Sequence, residues 1–389
     1  MFDAAFFDAP LDRSGTNSLK WDIMGPGGPG GIPLWVADMD FRCPPAISEA
    51  LVARAAHPNY GYTTVDQELL QAFCQFWARR HRVKTLPEEI MLLPSVVSGL
   101  RLCVEEFTSP GDGVIILTPV YGPFYRAVKD AERNLLEVPL LRDASGRYSM
   151  DLNAVEQHLK AGARLMLLCS PHNPVSRLWS REELEALTGL LARYGCALAA
   201  DEIHADFVYA PGDFTSMRLL ENDAFPLVQL TAASKTFNVA GLQTALAVCR
   251  SKEICEHMQA NASRRGIEAG NVFGQVASKA AFLHGDTWLD GLMVYLDKSR
   301  DLLRDLLQQL LPEAVLTPIE ATYLAWVDLR AYGHSTAEII ERCRKEQVMT
   351  TEGTFFNATS GEGHMRINFG CPRTQLQEGI ERFARAIKQ

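Results

Sequence analysis

The segment 227–238, LVQLTAASKTFN, decides the fold of this chain of 389 residues. It begins as a short apolar run, which predicts a buried strand, and Ser234 and Lys235 follow where that strand ends. Two earlier segments have the same form, RLMLLCSPHNP (164–174) and CALAADEIH (196–204). Apolar strands that run into polar residues indicate a parallel sheet with a ligand crevice at the carboxyl ends of its strands.

Working outward from these segments, strands and helices alternate. Further strand candidates are GVIILT (113–118), NLLEVP (134–139) and ALAVC (245–249), and SREELEALTGLLARYG (180–195) predicts a helix between two strands. Because parallel strands need crossover helices, this order predicts an α/β fold with a mostly parallel sheet covered on both faces.

The two ends of the chain differ from this middle part. Residues 1–45 carry two Gly/Pro clusters and little periodicity, which indicates an extended arm rather than a packed element. After a helical stretch at 251–311, the order strand, helix, strand, helix predicts a smaller α+β domain. We therefore expect an arm at 1–45 that joins the small domain, a large domain at 46–288 and a small C-terminal domain at 289–389.

Composition excludes several classes of protein. Lys and Arg number 38 against 47 Asp and Glu, a net charge of −9, so neither nucleic acid nor an anionic membrane is an expected partner. The nine cysteines are scattered, which predicts neither a disulfide framework nor a metal site. The N-terminus has no basic region or long apolar run of a signal peptide, so we expect a cytoplasmic protein.

The polar residues at the strand ends predict the chemistry. Each of Asn173, Asp201 and Lys235 alone would also suit a turn or a cap, but together they place an amide, a carboxylate and an amine in one crevice. A desolvated lysine is a nucleophile towards carbonyl groups, and a carboxylate beside it suits the protonated ring nitrogen of pyridoxal 5'-phosphate (PLP). The helix start after Ser95 is a candidate phosphate site, and Tyr121 offers an aromatic face for stacking.

Seven motifs, in order, make the chain resemble fold-type I PLP-dependent enzymes. They are W-V-A-D-M-D-F, Y-G-Y-T, T-P-V-Y-G-P-F-Y, S-P-H-N-P, D-E-I-H-A-D, S-K-T-F-N-V-A-G-L and H-M-R-I-N-F-G-C-P-R. Within the class I/II aminotransferase family, the chain is most similar to the MalY/PatB-type cystathionine β-lyase, or C–S lyase, branch, over nearly its whole length. The resemblance implies a large domain with a mostly parallel sheet of the seven-stranded type and a smaller α+β domain.

The resemblance also implies roles for the residues around the cofactor ring. Lys235 would bind PLP covalently and later move the proton of the substrate Cα. Asp201 would pair with the ring nitrogen, and Asn173 would bind the phenolic oxygen. His204 stands where many relatives have a tyrosine with that same role, and Tyr121 would stack on the ring.

A second set of implied roles concerns the phosphate and the substrate. Val96 and Val97 would donate N–H groups to the phosphate, and Ser234 would add a hydroxyl. Tyr62 would reach the phosphate of a neighbouring subunit, so the resemblance implies a homodimer with shared active sites. Arg366 would bind the α-carboxylate of an amino-acid substrate, assisted by Asn173 and by the backbone at Ala37 and Asp38.

Three positions depart from the family pattern. Ala232 and Gln243 replace a serine and an arginine that often bind the phosphate, although the lyase branch also lacks that arginine. Ser176 stands where H-N-P-x-G has glycine. These departures leave the anchoring of the phosphate open and do not affect the lysine.

The function implied by the resemblance is β-elimination from L-cystathionine or a related cysteine S-conjugate, which gives a thiol, pyruvate and ammonia. An aminotransferase is the first alternative, because it uses the same residues. No second basic residue for a dicarboxylate substrate is visible in the motifs, which favours the lyase. A non-catalytic binding or regulatory protein on the same fold is the second alternative, and the intact set of Lys235, Asp201 and Arg366 speaks against it.

Overall fold

The protein is described by a computed structural model that covers residues 2–23, 30–220, 224–267 and 271–389. Its α-helices in these ranges are α1 (Ala4–Asp8), α2 (Pro45–Ala55), α3 (Gln67–His81), α4 (Val96–Phe107), α5 (Gly122–Lys129), α6 (Leu152–Lys160), α7 (Arg181–Tyr194), α8 (Ala233–Thr236), α9 (Lys252–Arg264), α10 (Val272–His284), α11 (Asp286–Leu310), α12 (Thr336–Lys345) and α13 (Arg373–Lys388). The strands are β1 (Ile32–Pro33), β2 (Ile90–Leu93), β3 (Gly113–Thr118), β4 (Asn134–Pro139), β5 (Leu141–Arg142), β6 (Tyr148–Ser149), β7 (Leu165–Cys169), β8 (Ala197–Asp201), β9 (Leu227–Thr231), β10 (Ala245–Cys249), β11 (Val315–Leu316), β12 (Leu324–Asp328), β13 (Val348–Met349), β14 (Thr351–Glu352) and β15 (His364–Asn368).

The central sheet has seven strands in the order β2-β10-β9-β8-β7-β3-β4. All neighbours are parallel except at β10, which runs antiparallel to β2 and to β9. The predicted α/β fold with a mostly parallel sheet is therefore confirmed. Strand β2 was not predicted, because four apolar residues are too few to show a period.

Helices cover both faces of this sheet. Along β3, Val114 and Ile116 pack into one cluster of buried side chains, whereas Ile115 and Leu117 pack into another. Successive side chains of a strand point to opposite faces, so the two clusters lie on opposite sides of the sheet. This arrangement explains why the strands are apolar throughout instead of alternating with polar residues.

The C-terminal part has its own antiparallel sheet in the order β11-β12-β15-β14. Its two central strands are those predicted from TYLAWVDL and HMRINFG. The helical stretch expected at 251–311 consists of the separate helices α9, α10 and α11. After α9, Gly266 has a φ of 66°, a left-handed conformation that favours glycine and ends the helix.

The N-terminal segment is more packed than its composition predicts. Phe7 of α1 is buried and its ring lies 5.4 Å from Phe41, 5.7 Å from Trp288 and 5.3 Å from Tyr295. Strand β1 pairs in parallel with β13 of the C-terminal part. The expectation of an unpacked arm is wrong for these residues, because a helix of five residues and a strand of two are too short to produce a readable period.

The domain boundaries after residues 45 and 288 stay a prediction. Helix α11 begins at Asp286 and runs across the second boundary. Among the described helices, none combines the length and the apolar character that crossing a bilayer requires.

Candidate active site

A cavity of about 600 Å³ lies at the carboxyl ends of the central parallel strands. Nearly all of the predicted site residues line it: Ala37, Val96, Val97, Tyr121, Asn173, Asp201, His204, Ser234, Lys235 and Arg366. Asp38 and Tyr62 are not among the lining residues.

The sheet register explains why these residues meet. Cys169, the last residue of β7, lies beside Asp201, the last residue of β8. Strand β9 ends at Thr231, and the short helix α8 that follows carries Lys235. Because the three strands are parallel neighbours, their carboxyl ends open to the same edge of the sheet.

Lys235 is a half-buried residue whose Nζ donates to the carbonyl oxygen of Ala37 at 2.6 Å. Its pKa is lowered to about 8, mainly by burial and also by the charge of Arg366, against the opposing charges of Asp38 and Asp201. A substantial fraction of this amine is therefore neutral near pH 8, as a nucleophile towards an aldehyde requires.

Asp201 is a buried carboxyl whose Oδ1 accepts the N–H of Ile203 at 3.1 Å. Burial raises its pKa to about 7, although the Ile203 N–H and the charge of Lys235 act in the opposite direction. No described Lys, Arg or His lies within ion-pair distance of it. A cationic group that enters the cavity would therefore find an anionic partner here.

Arg366 is a buried guanidinium surrounded by neutral oxygens. It donates to the carbonyl of Trp35 at 2.7 Å, to Oδ1 of Asn173 at 3.1 Å and to Oγ1 of Thr351 at 3.2 Å. Its Nε has no partner among the described residues, and burial lowers its pKa to about 10, so it is still charged at neutral pH. A buried cation without an anion is costly, and a carboxylate ligand supplies the missing charge.

His204 and Tyr121 add two rings to the cavity. The ring of His204 lies 5.8 Å from that of Tyr323, and its Nδ1 has no partner among the described residues. Burial, with the charges of Lys235 and Arg366, lowers the pKa of His204 to about 3, so its ring is neutral. Tyr121 precedes the first residue of α5 and is half-buried at the cavity wall.

The start of α4 supplies main-chain donors. Ser95 precedes the helix, and its Oγ accepts the N–H of Ser98 at 3.1 Å. The N–H groups of Val96 and Val97 come before the first hydrogen bond of the helix, and both residues line the cavity. A phosphate group suits such a helix start, and Ser234 and Gln243 also line this cavity.

Asp38 and Tyr62 do not line the cavity, although the charge of Asp38 acts on Lys235. The Asp38 carboxylate accepts from Arg13 at 2.6 Å, and its N–H donates to the carbonyl of Val36 at 2.9 Å, so its backbone has no free donor for a substrate. Tyr62 is fully exposed. The role expected for Tyr62, a contact with the phosphate in a neighbouring subunit, stays a prediction.

Several residues of the site were missed by sequence reasoning: Trp35, Tyr323, Arg344, Thr351 and Glu352. Trp35 and Thr351 belong to segments without a readable period, and only the fold brings them to Arg366. Arg344 is a second basic residue that lines the cavity, and it lies outside the motifs, so the sequence did not mark it.

The residues of the cavity fit PLP. Lys235 is an amine with a lowered pKa, and Asp201 has no cationic partner among the described residues. The first N–H groups of α4 are available to an anion, and Nδ1 of His204 has no described partner. A protein with this fold and these groups belongs to the class of enzymes that bind PLP through a lysine.

Comparisons with known proteins agree with this class. Residues 30–383 match the family model for aminotransferase class I and II. The chain is 39% identical over 386 residues to cystathionine β-lyase PatB of Bacillus subtilis, covering 98% of this chain and 99% of that protein. It is 30% identical to protein MalY of Escherichia coli, over 100% of this chain and 99% of MalY. The crystal structure of cystalysin from Treponema denticola, which contains PLP, superposes with a TM-score of 0.93 at 32% identity, over 100% of this chain and 99% of that one. The chain belongs to the class I and II aminotransferase family.

Proposed function

We propose that this chain is a PLP-dependent carbon–sulfur β-lyase that cleaves L-cystathionine or a related cysteine S-conjugate. The products are a thiol, pyruvate and ammonia, and one water molecule is consumed. Arg366 carries the proposal, because this buried guanidinium has no anionic partner among the described residues and suits the α-carboxylate of an amino acid. The similarity to cystathionine β-lyase PatB and to MalY, the two proteins that give this branch its name, supports the proposal.

The residues have distinct tasks in this reaction. PLP, when bound, supplies an electron sink for the pair released when the substrate Cα loses its proton. Lys235 would hold the cofactor, and its amine would take that proton. The carboxylate of Asp201 would pair with the ring nitrogen and favour its protonated form.

Substrate orientation decides which bond breaks. Arg366, which donates to Oδ1 of Asn173 at 3.1 Å and is held in place by it, would bind the α-carboxylate and so orient the substrate at the lysine. Loss of the β-thiolate follows because sulfur is a good leaving group at Cβ. The released thiolate takes up a proton, and water converts the remaining three-carbon unit into pyruvate and ammonia.

An aminotransferase is the second candidate. Arg344 favours it, since a second cation in the cavity suits the distal carboxylate of a dicarboxylic substrate. The aspartate/prephenate aminotransferase of Thermus thermophilus is 25% identical to this chain over 361 residues. Glu352 is an anion that lines the same cavity, which makes the cavity as a whole less favourable to a second carboxylate.

The test is incubation of the holoenzyme with L-cystathionine alone. We expect pyruvate, detected with lactate dehydrogenase, and homocysteine, detected with a thiol reagent, in equal amounts and without any added oxo acid. A Lys235→Ala protein is the matched control and should form neither product. If no product forms, while glutamate and an oxo acid are converted readily, the chain is an aminotransferase.

Further parts of the proposal concern assembly and location. We assign the cofactor-binding and substrate-binding roles given above to the cavity residues, and the phosphate contact of Tyr62 to a neighbouring subunit of a homodimer. The division into arm, large domain and small domain at residues 45 and 288 belongs to the same proposal. Nine cysteines without disulfides, most of them buried, support a cytoplasmic location.

A further inference from the structure

The segment 35–40, W-V-A-D-M-D, meets the active site through its main chain. The carbonyl oxygen of Trp35 accepts from Arg366 at 2.7 Å, and that of Ala37 accepts from Nζ of Lys235 at 2.6 Å. The segment belongs to no helix or strand, so no regular ladder of backbone hydrogen bonds fixes these two oxygens. Contacts from other parts of the chain must therefore hold them.

Two carboxylates of this segment bind cations that lie earlier in the chain. Arg13 donates to Oδ2 of Asp38 and to Oδ1 of Asp40, at 2.6 Å in both cases. Lys20 donates to Oδ2 of Asp40 at 2.8 Å and to the main-chain carbonyl of Asp38 at 3.1 Å. Arg13 thus joins the two carboxylates into one cluster, which begins one residue after the Ala37 carbonyl.

Burial makes these ion pairs necessary. The side chains of Lys20 and Asp40 are 1% and 2% exposed, and that of Arg13 is 19% exposed. Burial acts to raise the pKa of Asp40, but Lys20 and Arg13 lower it below its usual value. Without these cations the two neighbouring carboxylates would repel each other, and a buried carboxylate without a partner is strongly destabilising. The cations therefore help to hold the segment 35–40 in its observed shape.

A neutral amide also holds this segment. Nδ2 of Asn368 donates to the carbonyl oxygens of Val36 and Asp38, at 2.5 and 2.7 Å. With this support left in place, removal of the Arg13 charge should loosen the segment and not release it. The effect on the reaction should therefore be moderate.

Asp38 also connects the cluster to Lys235 by its charge. Its Oδ1 is buried without a hydrogen-bond partner among the described residues, and Nζ of Lys20 lies 3.7 Å from it. Burial and the charge of Arg366 favour the neutral amine of Lys235. The charges of Asp38 and Asp201 act in the opposite direction. The cations bound to Asp38 therefore set how much of its charge acts on the amine.

We propose that Arg13 is a positioning residue of the active site. By binding Asp38 it holds the segment 35–40, so that the carbonyl oxygens of this segment orient the amine of Lys235 and the guanidinium of Arg366. Arg13 does not line the active-site cavity, so it acts only through the segment. The inference rests on the roles that are proposed above for Lys235 and Arg366.

Steady-state kinetics of the holoenzyme with L-cystathionine test the positioning. A misplacement of about 1 Å can lower a rate about a hundredfold, and Arg13→Gln, which only loosens the segment, should lower kcat/KM about tenfold. The loss should appear in kcat, because Lys235 is less well oriented, and in KM, because Arg366 is less well oriented. Arg13→Lys keeps the charge but can pair with one carboxylate instead of two, so its kcat/KM should lie between those of Arg13→Gln and the wild type.

A second readout does not depend on turnover. The cofactor-free protein is exposed briefly to PLP and then to borohydride, and the labelling of Lys235 is followed against pH by peptide mass mapping. Arg13→Gln should raise the midpoint by about half a pH unit, because the charge of Asp38 is then less well balanced. Asp38→Asn should lower the midpoint by about as much, because a charge that favours the ammonium form is gone. His204 and Tyr323 stay neutral in this pH range and do not contribute.

Arg42→Gln is the matched control, because it removes an arginine charge from the same part of the chain. Arg42 is exposed, donates to the carbonyl oxygens of Ala9 and Pro10, and has no described carboxylate within ion-pair distance. This variant should keep the wild-type kcat/KM and the wild-type midpoint. Urea unfolding gives the folded fraction of each variant, and all rates are corrected for it.

The possible failures are distinct. An unchanged kcat/KM or an unchanged midpoint in Arg13→Gln would overturn the inference and leave the lyase function standing. The same holds if Arg13→Gln and Asp38→Asn move the midpoint in the same direction, since a general loosening would explain that result. If Arg13→Gln does not fold, Arg13→Lys is compared with Arg42→Gln, and equal kcat/KM values in these two overturn the inference. A wild-type holoenzyme that forms no product from L-cystathionine contradicts the lyase function, and the labelling midpoints still decide the inference.

Discussion

Buried groups without a partner of opposite charge are the residues that define this site. Asp201 and Arg366 both lie inside the protein, yet neither has an ion-pair partner among the described residues. Removing the partner of a buried charge typically lowers the stability of a protein by about 3–5 kcal/mol. Bound ligands would supply the missing opposite charges: a cationic ring nitrogen for Asp201 and a carboxylate for Arg366.

A prediction at the residue scale concerns the protonation of Lys235. Because burial and Arg366 lower its pKa to about 8, the neutral, reactive amine should increase as the pH rises through that value. An ordinary exposed lysine reaches the same state only near pH 10.4. We expect brief exposure of the cofactor-free protein to PLP, followed by borohydride, to label Lys235 with a pH midpoint near 8.

Peptide mass mapping identifies the labelled lysine. Lys345, which is exposed and does not line the cavity, is the internal control and should carry much less label than Lys235. Labelling that falls mainly on Lys345, Lys252 or another lysine would contradict the assignment of Lys235. A midpoint of Lys235 near 10 would contradict the effect of burial on its pKa.

At the scale of elements, the short helix α8 must hold Lys235 in place. Thr236, the next residue, donates its hydroxyl to Oδ2 of Asp206 at 2.7 Å, and Oδ1 of Asp206 lies 2.9 Å from Nε2 of His81. Asp206 closes the D-E-I-H-A-D motif, and His81 ends α3. This buried carboxylate therefore connects three segments: the one after β8, the lysine helix and α3.

Removing the Thr236 hydroxyl tests this connection. Thr236→Val keeps the volume but leaves Oδ2 of Asp206 without its donor, so the free energy of unfolding should fall by about 1–3 kcal/mol. The kcat for L-cystathionine should fall several-fold with little change in KM, because α8 positions the lysine and not the substrate. Thr236→Ser keeps the hydroxyl and is the matched control.

Urea unfolding and steady-state kinetics give the two readouts. If Thr236→Val matches the wild type in kcat after correction for the folded fraction, Asp206 stabilises the protein without positioning Lys235. If Thr236→Ser lowers kcat to the same extent, the loss of kcat in Thr236→Val does not come from the missing hydroxyl.

The elements that could be predicted from the sequence are those whose signal is local. Strands β7, β8 and β9 are apolar runs, and each is followed by a polar segment that contains Asn173, Asp201 or Lys235. Both the sheet and the convergence of these three residues could therefore be predicted from the sequence. Trp35 and Thr351 could not be predicted. Trp35 follows the two-residue strand β1, which pairs with β13, and Thr351 begins the two-residue strand β14, which pairs with β15 beside Arg366. Such pairing is set by tertiary packing and leaves no period in the sequence.

At the scale of the whole molecule, the segment 57–64 stands out because it is almost entirely exposed. Its two tyrosines differ. The hydroxyl of Tyr60 donates to the carbonyl of Ala55 at 2.7 Å, and its ring lies 5.7 Å from Phe273. Tyr62 is fully exposed, and no described residue contacts its ring or hydroxyl. Tyr62 is therefore the tyrosine that is free to serve a second subunit, as the family resemblance implies.

Mixing two defective proteins tests whether the active sites are shared. Lys235→Ala lacks the lysine of its own site, and Tyr62→Ala lacks the tyrosine offered to the neighbour. If Tyr62 acts across a two-fold interface, a hybrid dimer contains one intact site, and random exchange at equal amounts should restore about a quarter of the wild-type activity. Tyr60→Ala, mixed in the same way with Lys235→Ala, is the control, because we expect that variant to be active on its own. If Tyr62 acts within its own chain, the hybrid has no intact site, and the mixture should be no more active than the two proteins measured separately.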